Sequence, residues 1–172
     1  MKLVLVLGAT GAIGRSTLDV IASHPDKLQL IGVATRSRAD LLAAQLAQWA
    51  PPLVAVWEEE KAQAFARLTG RQDVLVGPDG LMQLATHPDV DVVVVATSGR
   101  DALLPLVRAI QAGKQIALAT KELLVMAGEL IMRLVREHGV SLVPIDSEHA
   151  ALFQCLQGVS KDHVARLVIT GS

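Results

Sequence analysis

"KLVLVLGATGAIG", residues 2–14, decides the fold. One lysine leads an apolar run, and a glycine-rich turn ends that run after five residues. A signal peptide needs a longer apolar region and a bilayer span far more, so the run reads as a buried first strand. Gly8, Gly11 and Gly14 follow at three-residue spacing, and "AIGRSTLDVIASH" then takes up the period of a helix. Strand, glycine turn and helix in that order open a βαβ unit. Glycines at this junction permit a tight turn and let a pyrophosphate approach the N–H groups at the positive end of the helix. A purely structural turn is the alternative.

Outward from this stretch, apolar runs alternate with helix-period segments. Strands are expected at "LQLIGVAT", "LVAVW", "DVLVG", "VDVVVVATS", "QIALAT", "VSLVPID" and "VARLVITGS". Between them lie "RADLLAAQLAQWA", "EEEKAQAFARLTG", "GLMQLATH", "RDALLPLVRAIQAG", "ELLVMAGELIMRLVREHG" and "DSEHAALFQCLQG". The strands are β-branched runs without polar alternation, as a sheet covered on both faces requires. The fold class is α/β, a Rossmann-like doubly wound parallel sheet, followed by the start of an α/β catalytic domain. Residues 1–145 form the dinucleotide-binding domain and 146–172 the beginning of the next. Ser37 with Asp40 resembles a capping box for the second helix, and Gly113 and Gly139 stand where helices end. The chain stops on Gly171 and Ser172, where a loop should begin, so it is expected to be part of a longer one.

Composition narrows the function. The 172 residues are 51% hydrophobic and 19% charged with a net charge of -1, enough to bury a core and too balanced for electrostatic capture of nucleic acid or an anionic membrane. Cys155 is the single cysteine, which fits a reducing cytoplasm. There is no tyrosine, which excludes any mechanism with a phenol as general acid and argues against short-chain dehydrogenases.

In an open parallel sheet, ligands bind beyond the carboxyl ends of the strands. Polar clusters collect at those positions: "GATGAIG" (8–14), "TRSR" (35–38), "TSGR" (97–100), "TKE" (120–122), "DSE" (146–148) and "TGS" (170–172). Where an NAD site usually has an acid at the end of its second strand, this chain has Arg36, Ser37 and Arg38. Guanidiniums pair with phosphate oxygens, so NADPH is favoured over a solvated pair of arginines. Asp146 and Glu148 lie two apart and in extended geometry would share a face. Like charges that close call for a cation, and Mg²⁺ or Mn²⁺ suits two carboxylates. Helix capping by Asp146, with Glu148 in the first turn, is the alternative.

On "LGATGAIG.STLDVI", "LLPLVRAIQAGKQIALATKELLV", "PIDSEHAALFQCL" and the terminal "ITGS", the chain resembles the 1-deoxy-D-xylulose 5-phosphate reductoisomerase family. These enzymes use NADPH to convert that ketose phosphate to 2-C-methyl-D-erythritol 4-phosphate in the non-mevalonate isoprenoid pathway. The resemblance runs through all 172 residues, and family chains run to more than twice this length. It implies that Thr10, Gly11, Ala12 and Ile13 contact the NADPH diphosphate, and that Arg36, Ser37 and Arg38 surround the adenosine. Thr120 and Glu122 would face the cofactor and Lys121 the substrate. Asp146 and Glu148 would hold the metal, Ser147 and Glu148 would touch the substrate, and Ser172 would bind its phosphate. It also implies a homodimer when full length, with a sugar phosphate as partner.

The chain departs from the family at several positions. Thr120, Leu123 and Ala150 stand where the family usually has Asn, Ser and Asn, and Arg36 replaces a usual glycine. A non-catalytic NADP-binding module and another NADP-dependent oxidoreductase on the same fold are the competing readings. His149 reads as a local hydrogen-bonding residue at a helix start, Cys155 as core, "EEEK" (58–61) as a solvated face, and Trp49 and Trp57 as packing residues.

Overall fold

The apolar runs become strands and the periodic segments become helices in the computed structural model, which describes residues 1–170. The strands are β1 (Lys2–Leu7), β2 (Leu28–Thr35), β3 (Leu53–Val56), β4 (Leu75–Val76), β5 (Val92–Val95), β6 (Gln115–Leu118) and β7 (Leu142–Pro144). The helices are α1 (Ala12–Ser23), α2 (Ala39–Trp49), α3 (Glu59–Thr69), α4 (Gly77–Ala85), α5 (Leu103–Gln111), α6 (Glu122–His138) and α7 (Ser147–Cys155). A 3-10 turn, Arg100–Ala102, precedes α5. All seven strands are parallel, in the order β4-β3-β2-β1-β5-β6-β7. The strand order therefore reverses between β1 and β5, which opens a crevice at the carboxyl end of β1.

The central strands are apolar on both sides, and alternate residues serve two separate cores. Val4 and Val6 join Leu18 and Ile21 of α1, Leu42 of α2 and Phe65 of α3 on one face. Leu5 and Leu7 join Leu84 of α4, Leu106 and Ile110 of α5, and Ile131 of α6 on the other. Crossovers of one hand require this arrangement. When the order of strand addition reverses at β5, the connecting helices must change faces.

Three expectations fail. The strand "DVLVG" shortens to Leu75–Val76 at one edge of the sheet. Residues 164–170 form no strand, and Leu167, Val168 and Ile169 stand 54%, 70% and 62% exposed. β-branched composition makes a segment fit for a ladder but does not provide a neighbour, and among the described residues this segment has none. Cys155 is exposed instead of core, because α7 buries none of its residues. The helix ends at Gly113 and Gly139 are as expected, both in the left-handed region at φ 75° and 62°. Among the described residues no helix is long and apolar enough to cross a membrane.

Candidate functional site

A cavity of about 450 Å³ opens at the strand reversal. Its walls come from the turn after β1 (Gly8, Thr10–Ile13), the end of β2 (Ala34–Arg38) and the turn after β5 (Ala96–Ser98). Trp57, Leu81, Asp101 and Ala102 complete it. The glycines divide between architecture and access. A Cβ on Gly14 would stand 2.2 Å from the carbonyl oxygen of Gly8 and 2.7 Å from Ala9 Cα. Gly8 holds φ at +89°, and a Cβ there would come within 2.6 Å of the Ala96 oxygen. These two glycines let α1, β1 and β5 converge. Gly11 is exposed on the cavity wall as the residue that starts α1, and no side chain caps the helix. The first N–H groups of α1 thus face the cavity uncapped, as an anion site requires.

Buried polar groups surround this turn. Thr10 Oγ1 and Thr35 Oγ1 share a hydrogen bond of 2.8 Å, which ties the β1 turn to the end of β2. Thr97 Oγ1 is buried in the wall without a hydrogen-bond partner, and a native hydroxyl left so asks for a missing one.

At the other end of the cavity stand Arg36, Ser37 and Arg38. The capping box expected from Ser37 and Asp40 does not form. Arg38 occupies the cap position, and no side chain bonds to the first turn of α2. Ser37 stays instead in the loop that lines the cavity. Arg36 Nη1 meets Asp101 Oδ2 at 2.9 Å, and its Nε lies 3.5 Å from Glu58 Oε1.

A second polar group forms beyond β6 and β7. Thr120 is buried, and its hydroxyl donates to the carbonyls of Val95 and Thr97, so it is tied to the backbone around β5 and does not line the cavity. Lys121 and Glu122 at the start of α6 are exposed. Lys121 Nζ donates to Glu148 Oε2 at 3.1 Å, and Ser147 Oγ donates to the same oxygen at 2.9 Å. Glu148 is thereby held ionised, with its carboxyl down to about 2. Its own backbone N–H contributes most, then Ser147, then Lys121. The bond to Glu148 pushes the Lys121 ammonium up in turn.

Asp146 and Glu148 do not share the face of an extended strand. Asp146 caps α7, its Oδ1 accepting from the backbone N–H of His149 at 3.0 Å, while Ser147 and Glu148 are already helical. The His149 ring meets the same carboxylate at 2.8 Å, as a local bond. The two acids thus have different partners, and the cation bonded to Glu148 is Lys121. Among the described residues no three His, Cys, Asp or Glu side chains gather as metal ligands. Two hard, partly buried carboxylates still suit Mg²⁺ or Mn²⁺, which bind through one or two such groups and keep positions for substrate. Ser172 lies outside the described residues.

Residues 4–128 match the family model described as 1-deoxy-D-xylulose 5-phosphate reductoisomerase, and residues 142–172 match that for its C-terminal domain.

The chain belongs to the 1-deoxy-D-xylulose 5-phosphate reductoisomerase family.

Relatives of that name from Geobacillus sp. (strain WCH70) and Bacillus cereus (strain Q1) are 45% and 44% identical over the whole of this chain. The chain spans 45% of the length of each. The reductoisomerase of Zymomonas mobilis, solved with NADPH, superposes with a TM-score of 0.88 at 36% identity, over 96% of this chain and 44% of that one. Another reductoisomerase, solved with NADPH, fosmidomycin and magnesium, gives 0.84 at 36% identity, over 90% and 39%.

Within this reductoisomerase fold, Trp57, Asp101 and Glu58 stand at or beside the cavity without having been assigned to it from sequence. Trp57 lines the cavity as well as packing against the core, and Asp101 lies on the rim. Glu58, read as part of a solvated face, turns to Arg36. Thr97 carried a signal, since it follows a strand directly. Glu58 and Asp101 carried none, because their partner is remote in sequence.

Proposed function

We propose that the chain supplies the NADPH site and part of the substrate site of an NADPH- and metal-dependent 1-deoxy-D-xylulose 5-phosphate reductoisomerase. The observation that carries the reading is the cavity at the strand reversal, with the uncapped start of α1 on one side and guanidiniums at one end. Thr10, Gly11, Ala12 and Ile13 would bind the diphosphate through backbone N–H groups, where Gly11 leaves room for close approach. Gly8 and Gly14 shape the turn. Thr97 Oγ1 supplies a donor still unpaired, which supports a polar ligand in this cavity. Arg36, Ser37 and Arg38 would surround the adenosine end, and an arginine there favours the 2′-phosphate of NADPH.

On the substrate side, Lys121 stands at the start of α6, and Ser147 and Glu148 start α7, side by side at adjacent strand ends, while Glu122, next along α6, would face the cofactor. Asp146 and Glu148 would hold Mg²⁺ or Mn²⁺, which when bound polarises substrate oxygens. Lys121 would add positive charge to the substrate site, and Ser147 a hydroxyl. Thr120 acts from behind, fixing the turn that presents Lys121 and Glu122. Ser172 would bind the substrate phosphate. The assembled enzyme is proposed to be a cytoplasmic homodimer that acts on a small sugar phosphate and engages neither nucleic acid nor membrane.

A second reading, an NADP-binding module without catalysis, needs no metal-ligand group, and no group of three forms among the described residues. A chimera separates the two. The chain replaces the corresponding 45% of the Geobacillus relative, and NADPH oxidation is followed with the ketose phosphate and Mn²⁺. Metal-dependent turnover is expected. A folded chimera that binds NADPH and turns nothing over would favour the binding module.

A further inference from the structure

Arg36 is engaged before any anion arrives. Its guanidinium holds Asp101 at 2.9 Å and approaches Glu58 at 3.5 Å. The three residues follow three different strands, β2, β3 and β5. Since β1 lies between β2 and β5 in the sheet, the contact to Asp101 spans the glycine turn of β1 at the rim of the cavity. The clasp is thus laid across the site and not along one element.

The charges on this rim balance. Arg36 and Arg38 bring two positive charges, and Glu58 and Asp101 bring two negative ones. A 2′-phosphate must therefore compete with Asp101 for Arg36 and approach a carboxylate to do so. Among the described residues Arg38 makes no ion pair, so its guanidinium meets no such rival.

We infer that Asp101 is a specificity-determining residue that restrains the preference for NADPH over NADH by occupying Arg36, and leaves Arg38 as the principal reader of the 2′-phosphate. The inference rests on the cavity being the NADPH site. It predicts that a carboxylate-to-amide change, isosteric and on a partly exposed side chain, makes the site more selective.

Dissociation constants of NADPH and NADH are measured by titration calorimetry on the 172-residue chain and its variants. The two cofactors share every contact except the 2′ substituent, so their affinity ratio cancels general damage to the fold. Asp101→Asn is expected to raise the NADPH:NADH ratio about three- to fivefold, the scale of one exposed ion pair. NADH affinity should move less than about twofold, and the gain should shrink in high salt. Arg38→Ala should lower the ratio about tenfold and Arg36→Ala by less. In the Arg36→Ala background the Asp101→Asn gain should fall by more than half. Glu58→Gln, at the longer contact, should give a smaller rise in the ratio, and it carries the test if Asp101→Asn does not fold. An unchanged or smaller ratio in a folded Asp101→Asn chain that still binds NADPH overturns the inference and leaves the cavity reading intact. If neither dinucleotide binds the unmodified chain, both fall.

Discussion

Replacing Gly14 by alanine should separate the architectural glycines from the ligand-facing one. The new Cβ would stand 2.2 Å from Gly8 O and 2.7 Å from Ala9 Cα, whereas ordinary contact begins at 3.4 Å. Both obstacles are backbone, so no side chain can rotate away. Helix α1 must retreat by about an ångström, pulling Leu18 and Ile21 from the core they share with Val4 and Val6. Overpacking of this kind costs about 2–4 kcal/mol, a large part of the roughly 5–15 kcal/mol that holds a domain together. For a chain of this size that is a drop in Tm of about 5–15 °C. Gly11→Ala is the contrast. Its Cβ would lie 3.3 Å from Gly8 O, at a φ of -74° that alanine accepts. Losing glycine at the cap position costs about 0.5–1 kcal/mol, while the methyl stands where a diphosphate must come close. Urea denaturation and NADPH titration of both variants check this: Gly14→Ala should lose stability, and Gly11→Ala should stay folded and lose NADPH affinity. The reasoning is refuted if Gly14→Ala stays within about 0.5 kcal/mol of the unmodified chain, or if Gly11→Ala proves the less stable of the two.

Three further outcomes are expected. Thr97→Val removes the unpaired buried hydroxyl, so the free chain should gain about 0.5–1 kcal/mol while NADPH affinity falls, as denaturation and titration would show. Asp146→Asn keeps a good helix cap and loses the charge, so melting temperature and NADPH affinity should hold while the chimera's metal-dependent turnover disappears; surviving turnover would remove Asp146 from the metal site. Glu148 should titrate near pH 2 by carboxyl carbon shifts. Because that value is depressed, the carboxylate's contribution to stability is present above its ordinary 4.5 and fades as pH falls toward about 2. Lys121→Met should raise the midpoint only partway, since the backbone N–H and Ser147 still hold the carboxylate.

The parallel sheet, the order of its helices and the first glycine turn could be read from residue order, because they follow from local periodicity and from short-range chemistry. Gly14 was legible for the same reason, since the backbone that excludes its Cβ is that of Gly8 and Ala9, whereas the obstacle at Gly8 is Ala96, far along the chain. Residues 164–170 show the limit of such reading. Their composition suits a strand, but a strand exists only when a neighbour pairs with it in register, and among the described residues this segment pairs with none. The acids at 146 and 148 mark the same boundary. Their spacing left a shared face and a helix cap both open; Asp146 takes the cap, and only the fold brings Lys121, 27 positions away, to Glu148. Arg36 could be placed at the cavity from sequence, yet what it holds could not. Glu58 and Asp101 reach it from other strand ends. Sequence alone determined which side chains stand at the carboxyl ends of the strands, since alternation of strand and helix puts them there whatever the sheet order. Only the tertiary structure decided which of them meet, because the reversal of strand order between β1 and β5 sets the neighbours, and contact energies depend on distance in space and not along the chain.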